Sequence, residues 1–301
     1  MKHSLKTILV ALSFLLVSGC EKDFMVPEAE GASKLVVNCR LDNQRIIKVY
    51  LSESTSPYES AKLKPITDAV VELYSNDSLL GILPFAFTDS AHTFGCYLQN
   101  EFARLGNKYS VQITHPRYGV VVAQDIVPAL PAVTSHRLIQ YGDSTNQYLG
   151  QHRFQFQDDA SQENFYRINI WQWGKGYVTD TQGQRVLMDY GYFSRPEVTS
   201  QLSDTARDYG AFLLFSDKGF NGQMKEINMH FLTIDLQNVE EGNLVVEFTS
   251  VSRAHYLYYK TLEQYHNSPS GYQAAQVFGN ISNGYGIFMG EAIYSMHHRV
   301  K

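Results

Sequence analysis

The chain has 301 residues, with 25 Lys and Arg against 30 Asp and Glu, a formal charge of −5, and 13% aromatic against 18% charged residues. A mildly acidic chain without a basic run excludes phosphate-backbone binding, which takes clustered Lys and Arg, so no nucleic-acid partner is expected. Low charge with high aromatic content fits a β-rich, envelope-type protein better than a helical cytosolic one.

The first twenty residues read as a lipoprotein leader. Lys2 and Lys6 precede an apolar run from Ile8 to Val17, followed by Ser18, Gly19 and Cys20. That is the order of a secretory signal, and about ten apolar residues are too few to span a bilayer core of roughly 30 Å. A cysteine directly after small residues resembles a bacterial lipobox, in which the thiol is acylated and becomes the new N-terminus. Residues 1–19 are therefore expected to be removed and Cys20 to carry lipid, of palmitate type. Cleavage would leave 23 basic against 30 acidic residues, or −7, because no Asp or Glu precedes Cys20. Such a chain has little attraction for anionic headgroups, so the acyl chains would do the anchoring. Residues 20–33 are polar, with Pro27 and Gly31 and no periodicity, and read as an acidic tether.

Residues 34–130 carry short alternating segments at 34–41, 46–52, 69–74, 79–85, 92–98, 108–115 and 120–127, with Pro, Gly, Asn and Asp between them. The pattern predicts an immunoglobulin-like or prealbumin-like β-sandwich of about seven strands. Val111 and Ile113 alternate with Gln112 and Thr114, as on a strand with one buried face. Pro128-Ala-Leu-Pro131 reads as a domain boundary. From 131 to 301 the segments are longer and more aromatic: 153–157, 165–173, a hairpin over 177–193 turning at Gly183, then 212–215, 227–234, 244–252 and a last strand near Ile293. Ala254, Tyr258, Thr261 or Leu262, and Tyr265 recur at helical spacing, which predicts one amphipathic helix near 253–266 within a second β-rich domain.

Cys39 and Cys96 remain after the anchor cysteine. Outside the cytoplasm they could form a disulfide, or stay as two buried thiols packed as small hydrophobes. The sequence leaves both open. No catalytic residue can be nominated: there is no G-x-S-x-G elbow, no H-E-x-x-H and no phosphate loop. Asp158 and Asp159 are adjacent, and adjacent strand residues face opposite sides. Asp217-Lys-Gly-Phe-Asn-Gly222 lacks the third and twelfth ligands of a calcium loop and reads as a turn. The ten histidines show no local ligand spacing, so no metal and no cofactor are expected, and His297-His298-Arg299 reads as a solvated tail. Trp171, Trp173, Tyr177, Tyr190, Tyr192 and Phe193 form the densest aromatic group, either a binding platform or a buried sheet face. Asp77-Ser78, Asp89-Ser90, Asp143-Ser144 and Asp204-Thr205, each followed by a small or apolar residue or Thr, resemble the O-glycosylation acceptor of Bacteroidota envelope proteins. All four fall in predicted turns.

Four segments carry a wider likeness: Cys20 with its acidic tether; Lys34-Leu-Val-Val-Asn38 with Ile66-Thr-Asp-Ala-Val-Val-Glu72; Asp217-Lys-Gly-Phe-Asn-Gly222; and Gly279-Asn-Ile-Ser-Asn-Gly-Tyr-Gly-Ile-Phe288. With these the chain resembles the Bacteroidota lipoprotein family of domains of unknown function 4249. The resemblance implies a non-enzymatic accessory role at the outer membrane beside a TonB-dependent receptor barrel, and it transfers no catalytic residues. Glu21 and Asp23 flanking Lys22 resemble the export signal that sends such lipoproteins to the cell surface. The alternative expectation is a stand-alone surface lipoprotein that binds a glycan or a peptide.

Overall fold

The computed structural model describes residues 33–55, 64–142, 149–208, 211–233, 239–268 and 276–301. Cys20 and Ser144 lie outside the described residues. The fold is mainly β, with one helix among those residues.

The first sandwich forms because its strands alternate. Strands β1 (Leu35–Leu41), β2 (Ile46–Glu53), β3 (Val70–Ser75), β4 (Ser78–Ile82), β5 (Phe85–Phe87), β6 (Gly95–Phe102), β7 (Lys108–His115) and β8 (Gly119–Ile126) supply it. Leu35, Val37, Cys39 and Leu41 of β1 point inward with Ile47, Val49 and Leu51 of β2, and meet Val71, Leu73, Val111, Ile113 and Val121 from the facing sheet. Burying each such side chain stabilises the fold by about 1.5–3 kcal/mol. Asn76 and Asp77 both take positive φ in the β3–β4 turn, the conformation a two-residue hairpin needs.

The second half has β9 (Ala132–Tyr141), β10 (Leu149–Gln157), β11 (Phe165–Thr179), β12 (Arg185–Ser194), β13 (Glu197–Val198), β14 (Ser203–Asp208), β15 (Phe212–Ser216), β16 (Met224–Leu232) and β17 (Val239–Val251). Helix α1 (Arg253–Asn267) follows, then β18 (Ile281–Ser282) and β19 (Tyr285–Arg299). A separate core of Phe154, Phe156, Tyr166, Ile168, Phe215, Ile227, Met229 and Phe248 holds its two layers together.

Pro128–Pro131 separates these cores but not the sheets. A ten-stranded sheet runs β14-β15-β11-β17-β19-β1-β2-β6-β5, with β12 also paired to β11. Its middle is β19, antiparallel to β17 and parallel to β1. The four-stranded sheet β13-β16-β10-β9 and the five-stranded sheet β18-β8-β7-β3-β4 complete the two sandwiches. The last strands of the chain therefore finish both layers of the N-terminal sandwich, which residues 34–130 alone do not contain.

The 279–286 segment makes this return possible. Asn280 bonds both backbone groups of Phe288, its Nδ2 donating to the carbonyl at 2.7 Å and its Oδ1 accepting from the N–H at 2.9 Å. Gly286 has φ +102°, and a Cβ there would lie 2.1 Å from the Val37 carbonyl oxygen. Gly284 does not take positive φ; its place is set by close approach to Leu35 O, 2.8 Å from where a Cβ would sit.

Helix α1 occupies the predicted stretch, but its buried face is rotated from the predicted one. Ser252 caps it by accepting from His255 N–H at 3.1 Å. His255 and Tyr256 are buried, Tyr256 stacks on Phe165 at 4.4 Å, and Tyr259 meets Phe212 edge-on at 4.9 Å. Tyr265, expected inside, is exposed. The aromatic rings of β11 and β15 select the face, and the buried Arg167–Glu291 ion pair beneath it admits the His255 imidazole.

Candidate functional site

Strand β11 has two halves. Phe165–Asn169 pairs with β15, and Ile170–Thr179 pairs with β12, while β17 flanks the other side as far as Gly176. The hairpin closes through Asp180, whose Oδ1 accepts the N–H groups of Gln182 and Gln184 at 2.8 and 2.9 Å, with Gly183 at φ +79°. Beyond Gly176 the hairpin runs past β17, and Val178, Val186, Leu187 and Met188 are all exposed.

The aromatic group, expected as either a binding platform or a buried sheet face, divides between two faces. Opposite partners share a face, and Trp171 pairs with Phe193, Trp173 with Gly191 and Tyr177 with Leu187. Gln172–Tyr192 and Gly174–Tyr190 fall between them and point the other way. On the first face, Trp171 and Phe193 lie 4.5 Å apart, and Arg185 sits over the Tyr177 ring at 4.4 Å. Trp173 at 42% exposure and Phe193 at 54% extend this apolar patch toward solvent, and the exposed Lys175–Asp189 pair on the same face separates it from Tyr177 and Leu187, the latter 46% exposed. Isolated exposed hydrophobes are ordinary, whereas exposed aromatic side chains clustered on one face are not.

Tyr190 and Tyr192 are instead structural. Gln172 is buried; its Oε1 accepts from Tyr141 OH at 2.5 Å, and its Nε2 reaches Tyr192 OH at 3.1 Å, Leu232 O at 2.8 Å and Ser194 Oγ. The Tyr190 ring lies over Gly174, where a Cβ would come 2.6 Å from its hydroxyl. Burial, then the neighbouring Tyr192, pushes the Tyr190 phenol up to about 12.

The remaining predicted residues have clear places. Cys39 and Cys96 are both buried and free, which corrects the disulfide alternative. Cys39 pairs with Val49 and Val49 with Tyr97, so the thiols sit two strands apart on opposite faces. Two strand spacings are about 9–10 Å, beyond the roughly 7 Å that a disulfide tolerates. Ser78, Ser90 and Thr205 are exposed; Ser78 opens β4 and Thr205 lies in β14, so of these three described residues only Ser90 occupies a turn. Asp158 is buried, accepting from Tyr166 OH at 2.6 Å and Gly222 N–H at 2.7 Å, whereas Asp159 turns out to cap Ser161. The Asp217–Gly222 stretch is a turn, closed by Phe220 N–H on Asp217 O at 2.8 Å.

His298 is not in a solvated tail, because β19 carries it opposite Leu244 into the layer interface. There it meets His152 of β10, with Nε2 to Nε2 at 3.0 Å, and His136 of β9. One ring nitrogen from each of the three lies within 4.8 Å of the others. His152 is wholly buried, and burial followed by the His298 and His136 rings brings its pKa down to about 3. No local spacing announces this cluster, since each imidazole comes from a different strand.

Two clefts flank the junction of the sandwiches. One of about 370 Å³ is lined by Arg40, Asp42, Arg45, Lys48, Tyr50 and Phe102. The other, of about 570 Å³, lies between the Val127–Ala132 region and Asn164, Ser252 and Arg253.

A family model described as Domain of unknown function (DUF4249) matches residues 21–295. The chain belongs to the DUF4249 family. The DUF4249 match spans both cores, the aromatic hairpin and most of β19. None of the curated proteins matches this chain. Among solved structures, a protein from Corynebacterium diphtheriae described as membrane anchored is 8% identical, with a TM-score of 0.20 over 75% of this chain. The match takes in 55% of that protein, so this chain corresponds to about half of it. Among the described residues, no helix is long and apolar enough to cross a membrane.

Proposed function

We propose that this DUF4249 protein is a Bacteroidota-type lipoprotein, acylated at Cys20, held at the outer membrane and facing the cell surface. It acts without catalysis, as an accessory that docks on a TonB-dependent receptor barrel through the β11–β12 hairpin. The observation that carries this reading is the cluster of Trp171, Trp173 and Phe193, with Tyr177 and Leu187 beyond the Lys175–Asp189 pair on the same face, on a hairpin that outruns its sheet. The leader supports the anchor: Lys2 and Lys6, the apolar run and Ser18-Gly19-Cys20, with the family match starting one residue later. A lipid tether would raise the effective concentration of the hairpin near a barrel, so modest affinity suffices.

The test is co-purification of the full chain from its native membrane in mild detergent. A barrel receptor at near-stoichiometric yield is expected, and Trp173→Ala with Leu187→Ser should remove it while leaving Cys20 acylation intact by mass spectrometry. Recovery of the wild-type chain without any receptor would overturn the docking reading. A second reading has one observation in its favour: Trp171 and Trp173 share a face two residues apart, a spacing suited to stacking on a sugar or a peptide ring. Glycan- or peptide-array binding in the absence of a co-purifying barrel would favour that stand-alone role.

A further inference from the structure

The His136, His152 and His298 cluster is not used by the docking hairpin. His152 stands on the inward side of β10 with no exposed surface. An apolar residue would fill that position at lower cost, because its Nδ1 is buried without a hydrogen-bond partner, a loss of about 1–3 kcal/mol. Its other nitrogen points at His298 Nε2, 3.0 Å away. The His136 ring completes the group at 5.6 Å from His298 and 6.2 Å from His152 between centroids. A tetrahedral ion bound at about 2.0–2.1 Å holds its nitrogen ligands roughly 3.3 Å apart. The His152–His298 pair is already near that separation, and His136, exposed on the edge strand β9, can close the rest by side-chain rotation.

We infer that His136, His152 and His298 form a three-imidazole site for a divalent transition-metal ion of the zinc class. Neutral imidazole without thiolate suits Zn²⁺, Cu²⁺ and Ni²⁺ and is a poor match for Mg²⁺ or Ca²⁺. Three protein ligands leave a fourth position open, and the exposed His136 edge gives the ion its way in. Bound there, the ion ties the edge strand β9 to β10 and to β19 in the facing layer.

The experiment is zinc titration of the full chain, purified through a tag without histidine and followed by calorimetry and thermal unfolding. Binding of one Zn²⁺ per chain with a rise in Tm is expected, as is the visible absorption of tetrahedral cobalt when Co²⁺ replaces zinc. His136→Ala, at an exposed edge position, should fold as the wild type yet bind about tenfold more weakly or worse. His298→Gln should do the same, whereas His297→Ala, on the opposite side of β19, should leave affinity unchanged. No stoichiometric binding, or wild-type affinity in His136→Ala, would overturn the site. Magnesium is the negative control, and equal affinity for it would also count against the inference. None of these readouts depends on a receptor or on the lipid.

Discussion

Arg167 and Glu291 meet at 2.7 Å beneath helix α1, with 1% and 0% of their side chains exposed. Glu291 is the hub of a larger group. Its Oε1 also takes Arg40 at 3.1 Å and Arg45 at 3.0 Å, and Arg45 reaches Asp42 at 2.8 Å. Arg40 and Arg45 belong to the N-terminal sandwich, Arg167 and Glu291 to the sheet that continues into the second one. A buried ion pair is weak evidence for net stability, but removing one partner strands the other charge away from water.

Glu291→Gln is therefore expected to lower the unfolding free energy by about 3–5 kcal/mol, measured by urea denaturation. Arg40→Met, whose own side chain is about one-third exposed, should cost less. A loss below about 1 kcal/mol for Glu291→Gln would show that the guanidinium of Arg167 does not depend on this carboxylate.

His255 packs against the same pair, 3.3 Å from Arg167 Nη1. Burial, then the Arg167 and Arg40 charges, holds its pKa well below 6.5. The folded form thus keeps the ring neutral while the unfolded chain protonates below about 6.5. Acid must favour the unfolded state, by up to about 1.4 kcal/mol per pH unit from this ring. His255→Gln removes that contribution. Its stability deficit against the wild type, compared at pH 8 and pH 5, should shrink by about 2 kcal/mol; an unchanged deficit would mean that the imidazole is not kept neutral.

Gly286 is where β19 enters beside β1. Alanine there combines an unfavourable positive φ with a Cβ driven into the Val37 carbonyl. Gly286→Ala should cost about 2–4 kcal/mol and raise hydrogen exchange first in β1 and β19. Gly183→Ala, at positive φ but with open space around it, isolates the backbone part of the cost and should be the milder change.

Free thiols at Cys39 and Cys96 give a chemical prediction. Chain unfolded in denaturant without reductant should take up two equivalents of an alkylating reagent at these positions. The native protein should react slowly, since burial withholds both thiols from solvent and raises the pKa of each. Uptake only after reduction would indicate a disulfide.

Much of the local structure is legible in the sequence. The alternation of Tyr109, Val111 and Ile113 with polar neighbours specifies β7 and its buried face. Gly183 marks the turn of the aromatic hairpin, and the 253–266 spacing marks α1. Strand β9 is not legible: its residues 134–137 are all exposed on an edge, so Ala132–Tyr141 shows no hydrophobic period. The aromatics form a cluster in sequence, yet a period of two sends Tyr192 into a packed polar knot and Tyr190 over Gly174, and leaves Trp171, Trp173, Tyr177 and Phe193 on the other face. The histidine cluster is invisible for a different reason. Its members are separated by at least sixteen residues, and ligand spacing is a local signal.

By itself, the sequence determined the β character, the helix near 253–266 and the family. The first two rest on interactions between near neighbours: alternation, helical spacing and turn chemistry. Only the tertiary structure decided that β19 joins both sandwiches, that Cys39 and Cys96 lie apart, and that three histidines converge. Those outcomes depend on pairing between residues up to about 250 positions apart, where register and face are fixed by the packed layers and not by any pattern along the chain.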